Sequence, residues 1–171
     1  MSTRGDPARC WCQYFRLRGP DWRAATSRTN RTALRDQVTS DSTPPGVVAY
    51  RDDEPVGWCA IAPRASYPRL AHSTVSAATA DTAWLWAMPC FVVRVRARRN
   101  GVASALVSGA VDLARRHGAS AVEAYPVDLT QRSLVSASEL YHGPLSIFLR
   151  AGFEELARPV PGRVVVRLAI R

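Results

Sequence analysis

The sequence contains no lysine. All 23 of its basic residues are arginine, and with 14 acidic residues they give the 171-residue chain a net charge of +9. A complete absence of lysine indicates a compositional bias of the source genome, so much of the positive excess is expected to be general background. No RNA- or DNA-reading module accompanies the arginines. The composition therefore argues against a nucleic-acid partner, and RNA binding that weakens steeply with salt would be needed to revive that alternative.

The sequence also lacks a long apolar run. It is 47% hydrophobic, but no stretch is long enough to cross a membrane. Residues 1–7 are polar and contain no apolar signal core, so nothing indicates export. We therefore expect a single domain over residues 10–171, preceded by a flexible N-terminus at residues 1–9, with a cytoplasmic location and no membrane partner.

None of the four cysteines belongs to a Cys-x-x-Cys pair. Over residues 10–17 the chain alternates between two sets of side chains, and this period of two predicts a first β-strand. One face would carry Cys10, Cys12 and Tyr14, and the other Trp11, Gln13 and Phe15. Cys59 and Cys90 fall on later predicted strands. Structural zinc sites usually draw on Cys-x-x-Cys pairs in turns, so we expect no metal and interpret the cysteines as small, buried and reduced.

A strand, a turn and a helix follow one another directly in the middle of the chain. Residues 91–95 are β-branched or aromatic, Asn100 and Gly101 are a turn signal, and apolar residues recur at helical spacing over residues 102–116. The start of such a helix exposes unpaired N–H groups and the positive end of the helix dipole. With Arg98 and Arg99 beside it, this turn is predicted to bind an anionic phosphate group.

Three motifs carry a resemblance to a known family. Arg98-x-x-Gly101-x-Ala103 is similar to a Gln/Arg-x-x-Gly-x-Gly/Ala signature, residues 147–153 to a helix that ends in a Gly-Phe turn, and residues 46–61 to a hairpin with an acidic turn. In this order and spacing they resemble the GNAT superfamily of N-acetyltransferases, over roughly residues 10–171. The Cys-Trp-Cys segment at residues 10–12 is similar to that of a poorly characterised bacterial subset of the family.

The resemblance implies a mixed α/β (α+β) fold: a mostly antiparallel sheet splayed at one parallel strand pair, with helices on both faces. It implies acetyl-coenzyme A as co-substrate, with its pyrophosphate on the turn and its pantetheine along the preceding strand. A bulge near Cys90 would present N–H groups to the thioester carbonyl, which would also expose this cysteine to thiol reagents. The implied coenzyme-binding residues are Phe91, Val92, Val93, Arg98, Arg99, Asn100, Gly101, Val102, Ala103 and Ser104.

The catalytic residues are less clear from the resemblance. Many members of the family place a tyrosine acid where this chain has Phe148, so Tyr141 and Tyr125 are the candidate proton donors, with solvent as an alternative. Residues 84–91 contain no carboxylate, and Glu123, in an otherwise apolar strand, is the candidate base. A salt-bridge role for Glu123 stays open. Glu139 and His142 flank the same region, and a histidine has a suitable intrinsic pKa.

The other elements are predicted from local pattern. A helix capped by Asp21 or Thr26 should reach about Val38, and strands are expected at residues 46–51, 55–62, 84–97, 119–125, 153–158 and 163–170, with a short helix at 144–151. Pro89 indicates a bulge or an edge in its strand. Residues 63–82 are polar and irregular, which makes them a candidate lid on the acceptor side.

The reaction implied is acetyl transfer to the primary amine of a small molecule. Aromatic residues could line a pocket for such an acceptor, although tryptophan is also ordinary core material; they are Trp11, Tyr14, Trp22, Trp58, Tyr67 and Trp84. Acetylation of a protein lysine or N-terminus is an alternative. A catalytically weak acetyl-coenzyme A sensor is a third, since Phe148 cannot donate a proton. The sequence leaves a homodimer open.

Overall fold

The computed structural model describes residues 7–73, 84–131, 135–136 and 139–170. Its helices are α1 (Pro7–Cys10), α2 (Gly19–Ala24), α3 (Ser27–Ser40), α4 (Val102–Arg116) and α5 (Leu145–Arg150). Its strands are β1 (Gly46–Arg51), β2 (Glu54–Pro63), β3 (Leu85–Val93), β4 (Ala121–Ala124), β5 (Glu154–Val160) and β6 (Arg163–Ala169). Among these residues, no helix has the length and apolar character to cross a membrane.

The six strands form one sheet in the order β1-β2-β3-β4-β6-β5. Only the β3–β4 pair is parallel, and α4 is the crossover that joins these two strands. His117 ends this helix and Gly118 follows with a φ of 74°, a left-handed conformation that favours glycine. This is the mixed sheet with one parallel pair that the sequence predicted.

Apolar side chains are buried on both faces of the sheet. The larger core lies under α4 and α5, where Leu106 and Val107 pack on β2 and β3 side chains. The smaller core covers the opposite face with Phe15, Tyr67 and Leu70, which come from irregular segments. The sheet is therefore covered on its second face by segments from the N-terminal half of the chain, which is the side where the candidate site lies.

The N-terminal segment corrects the sequence prediction, because residues 10–17 are not a strand. Helix α1 ends at Cys10, and Trp11 and Cys12 turn the chain with φ values of 46° and 56°. The alternation of side chains in this segment arises because a turn, and not a pleated strand, directs Gln13 and Phe15 inward and Tyr14 outward. Helix α3 begins as predicted after Thr26, whose hydroxyl caps it within a capping box.

Strand β3 also differs in part from its prediction. It ends at Val93, and a 3₁₀ turn follows at Val95–Ala97. Pro89 lies in a bulge, as expected, but the strand is interior and not an edge, because β2 and β4 flank it. The candidate lid begins with two 3₁₀ turns that bury Tyr67 and Leu70, which is a packed arrangement, and its residues 74–82 lie outside the described residues.

Candidate functional site

The parallel strand pair separates part of the way along its length. β3 and β4 are paired from Leu85 with Ala121 to Met88 with Ala124, and within the described residues the ladder stops there. The register between β2 and β3 shifts at the same level, so that Met88 and Pro89 together lie opposite Ile61. Beyond this bulge β3 retains only β2 as a ladder neighbour in the described part of the chain. The split leaves backbone groups of β3 available for an extended ligand.

The turn that the sequence predicts to bind phosphate follows the split end of β3. Gly101 is the N-cap of α4 with a φ of 75°, and no side chain caps the helix. A Cβ placed on Gly101 would meet no atom of the described chain within 4 Å, so the space before the helix is open. Arg98, Arg99, Asn100, Gly101 and Ser104 are exposed around it. These features fit a diphosphate, because orphan N–H groups and two exposed arginines lie next to one open space.

The other residues assigned to the coenzyme from the sequence lie in three different environments. Phe91 is buried under α4, with its ring 5.7 Å from that of Phe148. Val92 faces the other side of the sheet, and the carbonyl of Val93 accepts a hydrogen bond from Arg98 Nε at 3.3 Å. Val102 is buried and Ala103 half-buried at the helix start. Their roles in coenzyme binding stay predictions.

A cavity of ≈ 910 Å³ opens on the face of the sheet opposite α4, at the split end of β3. Its floor is formed by Pro89, Cys90 and Val92 of β3 and by Trp58 of β2. The N-terminal segment forms its wall with Cys12 and with the aromatic side chains Trp11, Tyr14, Phe15 and Trp22. On the far side it is bounded by Glu139, Tyr141, His142 and Arg163. The cavity is therefore mostly apolar with a few polar groups on one wall, as is usual for a small-molecule site.

His142 lies between the diverging strands: the next residue, Gly143, accepts a hydrogen bond from Val127 N–H in the chain after β4 at 3.0 Å, and the His142 ring reaches β3. Its Nδ1 lies 2.8 Å from the carbonyl oxygen of Pro89, and because a carbonyl only accepts, Nδ1 carries the hydrogen. The ring nitrogen Nε2 is then the unprotonated one in the neutral ring. Burial and the nearby Arg163 lower the pKa of His142 to about 4. The imidazole is neutral at physiological pH and offers one basic lone pair.

Glu123 and Tyr125 lie together, in a buried cluster that does not line the cavity. The Glu123 carboxylate is fully buried and accepts hydrogen bonds from the Tyr125 hydroxyl at 2.7 Å and from Arg167 at 2.8 Å. Arg64 Nε lies 3.4 Å from Glu123 Oε1, the same oxygen that accepts the hydrogen bond from Tyr125. Burial and the neighbouring Glu123 raise the pKa of Tyr125 well above its ordinary value. The catalytic roles of both residues stay predictions, and their surroundings favour a structural role.

Tyr141 and Phe148 are placed apart by the structure. Tyr141 belongs to a 3₁₀ turn, Glu139–His142, and lines the cavity beside His142. Phe148 is fully buried on the α4 side, packed edge-to-face on Phe91 and Phe153. Of the three catalytic candidates, Tyr141 is the one that the structure brings to the cavity. His142 was only a flanking residue in the sequence, and no local pattern revealed its contact with Pro89.

The four cysteines lie near one another, around Cys12. Cys59 is buried on β2, while Cys10, Cys12 and Cys90 are partly exposed and line the cavity. In the described part of the chain no group of three or more His, Cys, Asp or Glu side chains has a geometry that could hold a metal ion. The cysteines are therefore described below by their thiol chemistry.

Comparison with solved structures identifies the same fold in several acetyltransferases. A ribosomal-protein-alanine N-acetyltransferase from Brucella melitensis superposes with a TM-score of 0.56 at 17% identity, over 83% of this chain and 78% of that one. A GCN5-related N-acetyltransferase from Kribbella flavida gives 0.53 at 19%, over 82% and 77%. A Salmonella typhimurium protein solved with its cofactor acetyl-CoA gives 0.55 at 16%, over 82% and 72%.

The sequence itself identifies the family. The profile of the Acetyltransferase (GNAT) family matches residues 11–138, which is most of the chain, whereas a comparison with curated protein sequences gave no significant match. The matched region includes the strand split, the phosphate-binding turn and helix α4. The chain therefore belongs to the GNAT family, whose members are acetyl-coenzyme A-dependent N-acetyltransferases.

Proposed function

We propose that this enzyme acetylates the primary amine of a small molecule with an apolar, aromatic body. The observation that carries the proposal is the cavity at the split end of β3, walled by Trp11, Tyr14 and Trp22. The rings of Tyr14 and Trp22 meet edge-to-face at 5.2 Å, which gives this wall a defined shape. A pocket of this size and lining suits a compact apolar acceptor better than an extended polypeptide.

Acetyl-coenzyme A fits the other half of the site. The open start of α4 suits its pyrophosphate. The part of β3 beyond the bulge, which has only β2 as a ladder neighbour within the described residues, suits the amide groups of its pantetheine arm. A ligand that follows β3 from the turn towards the bulge brings its thioester to Pro89 and Cys90. The acetyl group then lies at the floor of the aromatic cavity, within reach of an amine bound there.

The residues around the bulge supply the proton transfers in this proposal. The amine nitrogen attacks the thioester carbonyl, the C–N bond forms, and the C–S bond breaks. A base with a pKa near 4 is too weak to deprotonate a free ammonium ion, so His142 Nε2 takes the proton after attack, when that nitrogen is far more acidic. Tyr141, on the same wall, protonates the departing thiolate. Glu123 and Tyr125 support the fold beneath the site.

Substitutions in the phosphate-binding turn should weaken coenzyme binding. Gly101→Val adds a side chain where the diphosphate would lie and strains a positive φ, so we expect at least about a tenfold rise in Kd for acetyl-coenzyme A. Arg98→Ala removes one charge and should raise Kd roughly threefold to tenfold. Calorimetric titration measures both. Arg116→Ala, at the opposite end of α4, is the control, and equal affinity in all variants would refute the assignment.

Truncation of the aromatic wall should affect the acceptor and leave the coenzyme unaffected. Trp22→Ala removes an edge-to-face partner of Tyr14, so KM for an aromatic amine should rise by about tenfold at an unchanged KM for acetyl-coenzyme A. The assay follows coenzyme A release with a panel of aromatic and polar amines. Trp84→Ala is the matched control, because Trp84 is 62% exposed and does not line the cavity.

The same panel distinguishes the alternatives. Acetylation of peptides in preference to every small amine would identify a protein acetyltransferase. Coenzyme binding without transfer to any amine would favour the sensor. A cytoplasmic location and a homodimer stay predictions from the sequence.

A further inference from the structure

Two thiols that are far apart in the sequence meet at the floor of the cavity. Cys12 Sγ and Cys90 Sγ are 3.5 Å apart, although 78 positions separate the residues in the chain. Cys12 belongs to the turn after α1, and Cys90 lies on β3 next to the bulge. The sulfur atoms need to approach by only about 1.5 Å to reach the length of a disulfide bond.

The two thiols are not equivalent. A hydrogen bond from Cys90 lowers the pKa of Cys12 below its ordinary value, and Trp58 and the charge of Arg16 act in the same direction against the effect of burial. The same hydrogen bond and burial raise the pKa of Cys90. Cys12 is therefore the thiol that ionises first, with Cys90 as its donor.

The turn that carries Cys12 is tied to helix α3 by side-chain amides. Gln13, which is fully buried, exchanges two hydrogen bonds with Gln37 at 3.0 and 3.1 Å. Asn30, also buried, donates to the carbonyl of Arg9 at 2.9 Å. These contacts on either side of Cys12 hold its sulfur against β3.

Both cysteines border the cavity, which a small molecule can enter from solvent. Cys12 and Cys90 are partly exposed and line the cavity, whereas Cys59 is fully buried. Cys10 also lines the cavity, but burial and the neighbouring Cys12 raise its pKa, so it is a poorer nucleophile. Among the four cysteines, only Cys12 and Cys90 combine a readily ionised thiol, an adjacent second thiol and a route of access.

We propose that Cys12 and Cys90 form a peroxide-reactive dithiol, a modification site within the acceptor cavity. The Cys12 thiolate attacks one oxygen of hydrogen peroxide, the O–O bond breaks, and the products are a sulfenic acid on Cys12 and hydroxide. The Cys90 sulfur then attacks the Cys12 sulfur, forming the disulfide and releasing water. Two thiols lose two electrons to one peroxide, and a dithiol reductant reverses the reaction.

The disulfide would tie the N-terminal wall of the cavity to its floor. On the proposed function, oxidation should therefore reduce amine acetylation and leave coenzyme binding at the α4 turn intact. This consequence depends on the acceptor assignment. The chemistry of the two thiols does not, so the two claims can fail separately.

Peptide mapping of the peroxide-treated protein tests the dithiol directly. The folded enzyme is treated with hydrogen peroxide, alkylated and digested without reductant, and the expected product is a cross-linked Cys12–Cys90 peptide two hydrogen atoms lighter than its parts. Cys90→Ser should leave a sulfenic acid on Cys12 that dimedone traps. Cys10→Ser, the matched control, should cross-link like the natural sequence.

The same map contains the outcomes that would refute the proposal. A Cys10–Cys12 disulfide, cross-links between molecules, or equal oxidation of all four cysteines would each overturn it. Alkylation of the untreated protein is an independent readout, in which Cys12 should react roughly tenfold faster than Cys10 at neutral pH. Equal rates for these two thiols would contradict the proposal even if one variant failed to fold.

Discussion

Replacing Glu123 with leucine is expected to lower the free energy of unfolding by about 3–5 kcal/mol, because it leaves two arginine side chains that are only 11% and 29% exposed without their counter-charge. The carboxylate is fully buried and binds Arg167 at 2.8 Å and Arg64 at 3.4 Å. The Tyr125 hydroxyl would also lose its acceptor. Chemical denaturation monitored by circular dichroism measures the change.

Two further variants separate charge from position in this cluster. Glu123→Gln retains an acceptor of similar shape and should cost less than leucine. Glu54→Ala removes an exposed carboxylate that pairs with Arg94 and Arg96, and it should change stability by no more than about 1 kcal/mol. If Glu123→Gln were as stable as the natural protein but inactive with bound coenzyme, the carboxylate would be the catalytic base and the structural assignment would be wrong.

Loss of the His142 imidazole should lower kcat by about a hundredfold or more, which is the usual contribution of a general base. His142→Asn is the informative variant, because its amide N–H can still donate to Pro89 O as Nδ1 does. It keeps the bridge across the strand split and removes the basic nitrogen. Steady-state kinetics should show a low kcat and an unchanged Kd for acetyl-coenzyme A. Full activity of His142→Asn would show that the imidazole acts only as a bridge.

The pH dependence provides a second test of His142. Its pKa is lowered to about 4 by burial and Arg163, so the base is lost only as the pH falls towards 4, well below the ordinary histidine range. The free energy of unfolding should also fall as the pH falls. The unfolded chain takes up the proton first as pH falls below about 6.5, so the folded state should lose stability between there and about pH 4. His142→Asn should lose this part of the pH dependence.

Local sequence pattern was sufficient to predict those elements of the fold that a single contiguous segment forms. The turn and helix from Asn100 to Arg116 and the parallel strand after them are present as predicted, and Thr26, one of the two predicted caps, begins α3. The strand before the turn is present but ends at Val93, earlier than predicted. Residues 10–17 were assigned wrongly, because alternation of side chains does not distinguish a strand from a turn that covers a sheet. The left-handed Trp11 and Cys12 carry no turn signal of the Gly or Asn type.

The candidate site was predictable only where one segment forms it. The turn that is predicted to bind phosphate is contiguous, and its glycine-capped geometry is present, whereas the cavity walls combine distant segments. Glu123 is 59 positions from Arg64 and 44 from Arg167, and His142 is 53 from Pro89. Such pairs depend on how the fold brings distant segments together, which local pattern does not specify. This is why no local pattern indicated the contacts that Glu123 and His142 make.

The hydrogen bond from His142 to Pro89 does not depend on the charge of the imidazole ring. Nδ1 carries a hydrogen in both the neutral and the protonated ring, so the tie between the two diverging strands persists when Nε2 gains a proton. Acidification would then remove the base without changing the width of the gap. At low pH the enzyme should therefore still bind both substrates but turn them over more slowly. Its kcat should fall, and its KM values should change little.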